Sequence, residues 1–225
     1  SPCRDCHSDR SAEELAAAVA APQRPRRISN ALAGDQRAQQ QLLSQIADNS
    51  LPPIWQSSML SSMLPASDAS IGVAAAKLQH PDAMVRSGAI RHLQRAASAN
   101  QRRHFLTPML KDSTASVRLA AAEALADLPP QSEQAKALWQ QTQKTLDEQL
   151  KADLDVPQGA MRYGEVLLKR GQPRAAAVQY RAAINMDPDF IPALLALARL
   201  SERHDGEQSP LFWLDKAVSR APRQG

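Results

Sequence analysis

Two stretches of this chain repeat at the length of a helix pair, and this constrains its fold more than any other feature. The segment Pro81-Asp82-Ala83-Met84-Val85-Arg86-Ser87-Gly88-Ala89-Ile90-Arg91-His92-Leu93 aligns with Ser113-Thr114-Ala115-Ser116-Val117-Arg118-Leu119-Ala120-Ala121-Ala122-Glu123-Ala124-Leu125 at an interval of 32 residues. Both carry Val-Arg, a small residue four past the valine and a leucine eight past it. Positions so spaced share one helix face. A weaker copy, Ile54-Trp55-Gln56-Ser57-Ser58-Met59-Leu60, has glutamine where the arginine stands. A second period begins at Pro157. Counted as a unit of 34, it puts Tyr163, Gly164, Leu167, Gly171, Ala176, Tyr180, Ala183 and Pro188 on positions 7, 8, 11, 15, 20, 24, 27 and 32. Advancing 34 from Pro188 lands on Pro222, with Leu197, Ala198, Leu214 and Ala217 at the matching places. Pro210 replaces the small residue there and Asp205 the turn glycine, so the last helix is expected to start near Pro210. Such periods mark stacked helix pairs.

The segments between these landmarks read as helices too. Residues 35–48 carry Leu42, Leu43 and Ile46 on one face; 52–64 carry Ile54, Met59, Leu60 and Met63; 68–78 carry Ile71, Ala74, Ala75 and Leu78. Residues 131–152 form one long helix with Ala135, Trp139, Thr142, Leu146 and Leu150 in a stripe, closed by 153–157. Glycine is scarce at 8 residues and aromatics make up 4%, which suits helices packed closely through alanine.

The Val-Arg segments resemble the second helix of HEAT repeats. That resemblance implies valine, alanine and leucine packed inward, with the arginine near an acidic turn residue such as Asp112. Residues 157–190 resemble a tetratricopeptide (TPR) repeat. There Gly164 and Ala176 are small where two helices cross, Tyr180 fills the hole between helices, and Pro188 stops the second helix. The expected fold is all-α, an α-α superhelix of HEAT-like pairs (29–129), a long connecting helix (130–156) and TPR-like pairs (157–225).

Lysine and arginine exceed aspartate and glutamate by 4. Part of the surplus is the run Arg24-Pro25-Arg26-Arg27, which lacks the aromatic or glycine-rich company of a nucleic-acid patch and reads as a solvated linker. No apolar run approaches the ~20 residues of a membrane span. The chain opens on Ser1 without methionine and reads as a piece of something longer.

One motif carries chemistry. Cys3-Arg4-Asp5-Cys6-His7 is C-x-x-C-H, built from the only two cysteines. In c-type cytochromes two thiols become thioethers to haem and the adjacent histidine binds iron, because two anchors and a ligand must meet one rigid macrocycle. A redox dithiol would want a preceding strand, and a zinc site two further ligands. His80, His92, His104 and His204 lie far apart on expected helices, as surface or partly buried histidines. Taken with Ser8-Asp9-Arg10-Ser11, an alanine-rich helix over 11–21, the Val-Arg units and Asn185-Met186-Asp187-Pro188-Asp189-Phe190-Ile191-Pro192-Ala193, the motif makes the chain resemble the C-terminal part of bacterial multihaem c-type cytochromes with helical repeats. The resemblance implies that residues 1–28 end a haem-binding domain, with haem c held by Cys3, Cys6 and His7 in a full-length protein exported to the periplasm. It further implies electron transfer.

For partners, TPR grooves bind through the first helix of each pair. The corresponding positions are Gln158, Met161, Glu165, Leu168 and Lys169, then Pro192, Leu195, Arg199, Glu202 and Arg203. This mixed-charge face would dock a protein partner or a second copy of the chain; a merely solvated concave face stays open as the alternative. No Ser-His-Asp grouping, paired metal carboxylates or glycine-rich phosphate loop is found, so no enzyme activity is expected.

Overall fold

Most of the described helices begin where the sequence supplies a cap or a proline. In the computed structural model, which describes residues 35–203 and 208–220, Asp35 Oδ1 accepts the N–H groups of Arg37 and Ala38 at 2.9 and 3.1 Å and starts α1 (Gln36–Ala47). Reciprocal Ser67–Ser70 and Ser98–Gln101 capping boxes start α3 (Asp68–Lys77) and α5 (Ala99–Leu106). Ser132 caps α7 (Glu133–Ala152). Proline is the first residue of α2 (Pro53–Ser58), α8 (Pro157–Lys169), α9 (Pro173–Met186) and α11 (Pro210–Arg220). A side-chain cap stabilises a helix by about 1 kcal/mol, and proline costs nothing where the N–H would be unbonded anyway. The set is completed by α4 (Ala83–Ala96), α6 (Ala115–Ala124) and α10 (Ile191–Arg203). Among the described residues there is no strand, and the fold is an all-α helical repeat. Cys3, Cys6, His7, the 11–21 helix, the Arg24–Arg27 run, His204, Asp205 and Pro222 lie outside the described residues. The chain divides into two compact units, Ser1–His92 and Leu93–Gly225, with the boundary inside α4.

In the first unit α1 packs on α3. Ala38, Leu42 and Ile46 are buried on α1, and Ile71, Ala74 and then Leu78 on and just past α3. Lys77 is buried as well. Its Nζ donates to Ala47 O at 3.1 Å and to Asn49 Oδ1 at 2.6 Å, closing the C-terminal end of α1 with a cation. Burial pushes that ammonium below its ordinary value, and Asp48 partly offsets this. His92 is fully buried, with Nε2 2.8 Å from Ser70 Oγ. α2 runs on into a π-helical turn, Met59–Met63, that the periodicity did not foretell. Met59 and Leu60 are buried as expected, but Ile54 is 56% exposed. Gln56 is an inward residue of α2, and Ile54, two positions and about 200° around the helix, therefore faces water.

Both Val-Arg units behave alike. Val85, Ala89 and Leu93 are fully buried, and so are Val117, Ala121 and Leu125. The arginines make one expectation more specific. Arg118 Nη1 donates to the carbonyls of Asp112 and Ser113 at 2.8 and 3.0 Å, while the Asp112 carboxylate caps Thr114 N. Arg86 Nη1 does the same to His80 and Pro81, at 2.8 and 2.9 Å. The arginine thus reaches back six and five residues to carbonyls ahead of its own helix; Arg118 stands beside Asp112 as expected, and His80 holds the equivalent place for Arg86. In the degenerate copy Gln56 Nε2 makes one such bond, to Leu51 O at 2.7 Å.

The second unit continues with α6 against the 3-10 turn Pro108–Lys111 and against α7, then with α8 on α9, α9 on α10 and α10 on α11. Ala176, Tyr180 and Ala183 are buried on α9. A Cβ added to Gly164 would stand 2.5 Å from Tyr180 Cε1, so the ring lies directly on the glycine. In α11, Ala217 is buried as expected, but Trp213 goes inward and Leu214 is exposed. α9 starts three residues before Ala176, whereas α11 starts at the equivalent Pro210 itself, and its inward face has rotated by one residue onto the larger indole.

Two alanine substitutions separate packing from propensity. Gly164→Ala is expected to destabilise by about 1–3 kcal/mol through overpacking against Tyr180. Gly72→Ala in α3, with nothing within 4 Å of the new Cβ, is expected to stabilise by about 0.5–1 kcal/mol. Urea denaturation of both variants checks the pair.

Candidate functional site

Three helices of the second unit converge on the last turn of α6. An α-helix ends with carbonyls that have no partner within it. Here Gln143 Nε2 of α7 donates to Ala122 O at 2.6 Å, Trp139 Nε1 to Leu125 O at 3.0 Å, and Arg102 Nη1 of α5 to Ala124 O at 3.2 Å. Gln143 Oε1 then accepts Arg170 Nη2 from the end of α8 at 2.6 Å, and Arg170 Nη1 pairs with Asp147 at 2.7 Å. Arg102 also grips both oxygens of Asp127, at 3.1 and 2.9 Å. About two helix turns back along α8, Arg162 binds Glu123 Oε2 through Nε and Nη2, at 3.1 and 2.7 Å.

These contacts wall an open cleft of about 610 Å³. Asp127 and Pro129 contribute from the α6–α7 connection, Trp139, Gln143 and Asp147 from α7, and Lys169 and Arg170 from α8. Its guanidinium is committed: Arg170 is held by Asp147 and Gln143. Lys169 differs, since its ammonium has no hydrogen-bond partner among the described residues. Partial burial pushes Lys169 below its ordinary value, while Glu123, Glu165 and Asp127 pull it back and Arg102 adds to the fall. Glu165, one turn earlier, is raised above its usual value by removal from water; Glu123 adds to this, while Lys169 and Arg162 oppose it.

The groove residues expected from sequence divide as follows. Gln158, Glu165 and Leu168 are exposed on α8 and Lys169 is half-buried; Pro192, Arg199, Glu202 and Arg203 are exposed on α10. Met161 and Leu195 pack partly against the core. Among the described residues no hydrogen bond or ion pair links the α8 set to Arg199, Glu202 or Arg203. Lys169 therefore belongs to the cleft as much as to the groove. Trp139, Asp127 and Asp147 were not picked out, because they come from separate elements with no shared period; the only signal was an aromatic at mid-helix in a chain with few.

With this geometry in place, the comparisons are brief. The family model of the HEAT repeat matches residues 103–128, from the end of α5 through α6. No curated protein and no solved structure matches the chain. The match supports a helical-repeat region of the kind that commonly mediates protein interactions, and no helix among the described residues is long and apolar enough to cross a membrane. Nor does any group of three His, Cys, Asp or Glu among them lie close enough to hold a metal ion.

Beneath Glu165, the Tyr180 hydroxyl is pushed up from 10.0 to about 12, chiefly by burial and then by the Glu165 charge. The folded state then holds the proton in a range where the unfolded chain loses it. That contribution is complete below pH 10 and is lost as pH rises toward 12, amounting to about 2 kcal/mol. Tyr180→Phe should flatten this part of the alkaline decline while changing stability little at pH 7; urea midpoints from pH 8 to 12 for both proteins check it.

Proposed function

We propose that the chain is a helical-repeat scaffold that docks a protein partner and is carried by a multihaem c-type cytochrome of the periplasm, where it supports electron transfer. The observation behind the scaffold half is the pair of Val-Arg units with the HEAT match over 103–128. Stacked helix pairs offer extended surfaces built from successive repeats, which is what docking needs. The cytochrome half rests on sequence: Cys3, Cys6 and His7 are the right donor set at the right spacing for covalent haem. Bound haem would supply a one-electron centre, while the repeats hold the partner near it and do no chemistry themselves. On this reading the chain is not an enzyme in its own right. A plain interaction module without redox work is the second reading, favoured by the absence of any match outside the HEAT repeat.

Two measurements test the halves separately. The full-length protein, exported by its native host, should show the absorption band of covalently attached haem; a spectrum without it removes the cytochrome reading and leaves the plain module. For docking, a pull-down from periplasmic extract with Glu165→Lys and Arg199→Glu should lose partners that the unaltered chain retains. An unchanged set of partners counts against these positions.

A further inference from the structure

The first unit holds a cavity of its own, about 440 Å³, bounded by the end of α1, by α3 and by the connection from α3 to α4. Ala47, Val73, Ala76 and Pro81 give it apolar walls. Gly72 lines it too, and a Cβ added there would meet nothing within 4 Å. Three other lining residues carry hydrogen-bond donors that the fold leaves unused. Lys77 is 5% exposed, and two of its three N–H groups are taken, by Ala47 O and Asn49 Oδ1. The second of these bonds fixes the orientation of the Asn49 amide and leaves its Nδ2 hydrogens over. A left-handed backbone, at φ 60°, holds Asn49 in that place. His80 Nδ1 accepts the Asp82 N–H at 3.0 Å, so the proton of the neutral ring sits on Nε2 and makes that atom a donor.

Selection here comes from hydrogen-bond character, not from net charge. Among the described residues no carboxylate lines the cavity. Asp48, the acid that acts on Lys77, is exposed, and its carboxylate is bonded to the N–H and the hydroxyl of Ser50. Donors without partners are best met by a ligand that brings acceptors and no donors. A carboxylate does so with two oxygens, whereas an amide brings N–H groups as well. The volume lies toward the lower end of the usual ligand-pocket range of roughly 300–1,000 Å³, which suits a small molecule. We propose that this cavity binds a short aliphatic carboxylate, whose oxygens accept from Lys77, Asn49 and His80 while its tail lies on Ala47, Val73 and Ala76. Such a site lies beyond the scaffold reading and does not depend on it.

The test uses the ¹⁵N-labelled 225-residue chain with n-butyrate as the probe. Binding is followed through the Gly72 amide and the Asn49 side-chain NH2, the latter identified by its loss in Asn49→Gly. Butyrate should shift both resonances saturably at millimolar concentration. Butyramide, whose NH2 finds no acceptor, should bind at least about fivefold more weakly, and n-butylammonium should not bind. Gly72→Leu grows a side chain into open space, so its thermal midpoint should hold while butyrate binding is lost. Lys77 is left intact in every variant because it ties α3 to the end of α1. Four results overturn the site: no saturable shift from butyrate, unchanged binding in a folded Gly72→Leu, equal binding of n-butylammonium, or an equal shift from inorganic phosphate, which has no tail. The two comparisons between probes use the unaltered chain and so decide the matter even if Gly72→Leu does not fold. None of these outcomes bears on the pull-down through Glu165 and Arg199.

Discussion

The end of α6 is the constraint on which the second unit depends. Three of its last carbonyls, those of Ala122, Ala124 and Leu125, are answered by side chains from α7 and α5. Leu125 O also accepts the Leu128 N–H at 3.0 Å; leaving a buried carbonyl without a donor costs about 1–3 kcal/mol, so it is the bonds to Ala122 and Ala124 that fix where α7 and α5 stand relative to α6. Gln143 extends the constraint by one helix. Its amide gives to α6 at one end and takes from Arg170 of α8 at the other, and it is buried. One side chain therefore transmits the position of the HEAT-like pair to the first helix of the TPR-like pair. The cleft is a consequence: the groups that tie these helices together also form its wall.

Close approach is the complementary requirement. Alanines at 0% exposure on α4, α6 and α9 let helices meet with little side chain between them. Where a ring does enter, a glycine must make room, as Gly164 does for Tyr180. This explains how so few aromatics suffice for the core. It also explains why the arginine of each Val-Arg unit matters beyond charge. A helix packed this tightly on its inner face needs its preceding turn held from the outer side, and Arg86 and Arg118 do so by bonding two carbonyls each. Gln56, a shorter side chain, holds one carbonyl through Nε2, and its helix is the one that runs on into a π-turn.

How much of this was legible follows from what periodicity can carry. Spacing along one helix is a local property, so Val85, Ala89 and Leu93, their copies at 117, 121 and 125, and Tyr180 over Gly164 could all be read from the chain. Errors arose where helix phase was set from outside the segment. Ile54 was assigned inward from spacing alone, yet Gln56 took that side. Leu214 was assigned by counting 34 from Tyr180, yet the late start of α11 at Pro210 turned Trp213 inward. The cleft was not legible because Asp127, Trp139, Asp147 and Lys169 lie on three separate elements and share no period. Only Lys169 had been singled out, and for a groove position. Cys3, Cys6 and His7, the chemical motif, lie outside the described residues, so their reading still rests on donor type and spacing.

The distribution of charge shows why a mixed-sign surface can still be selective. A cation already bonded to a carboxylate has little left to offer a partner, because its fork is filled and its charge locally balanced. Arg102, Arg162 and Arg170 are in that condition, and each spends itself joining two helices. Lys169 and Glu165 of α8, one helical turn apart, differ from them: neither makes a hydrogen bond among the described residues. Both are pushed toward their neutral forms by partial removal from water, so each gains more from an opposite charge than a fully solvated group would. The ion pairs that a charge count would take for a binding face are instead the fasteners of the repeat array.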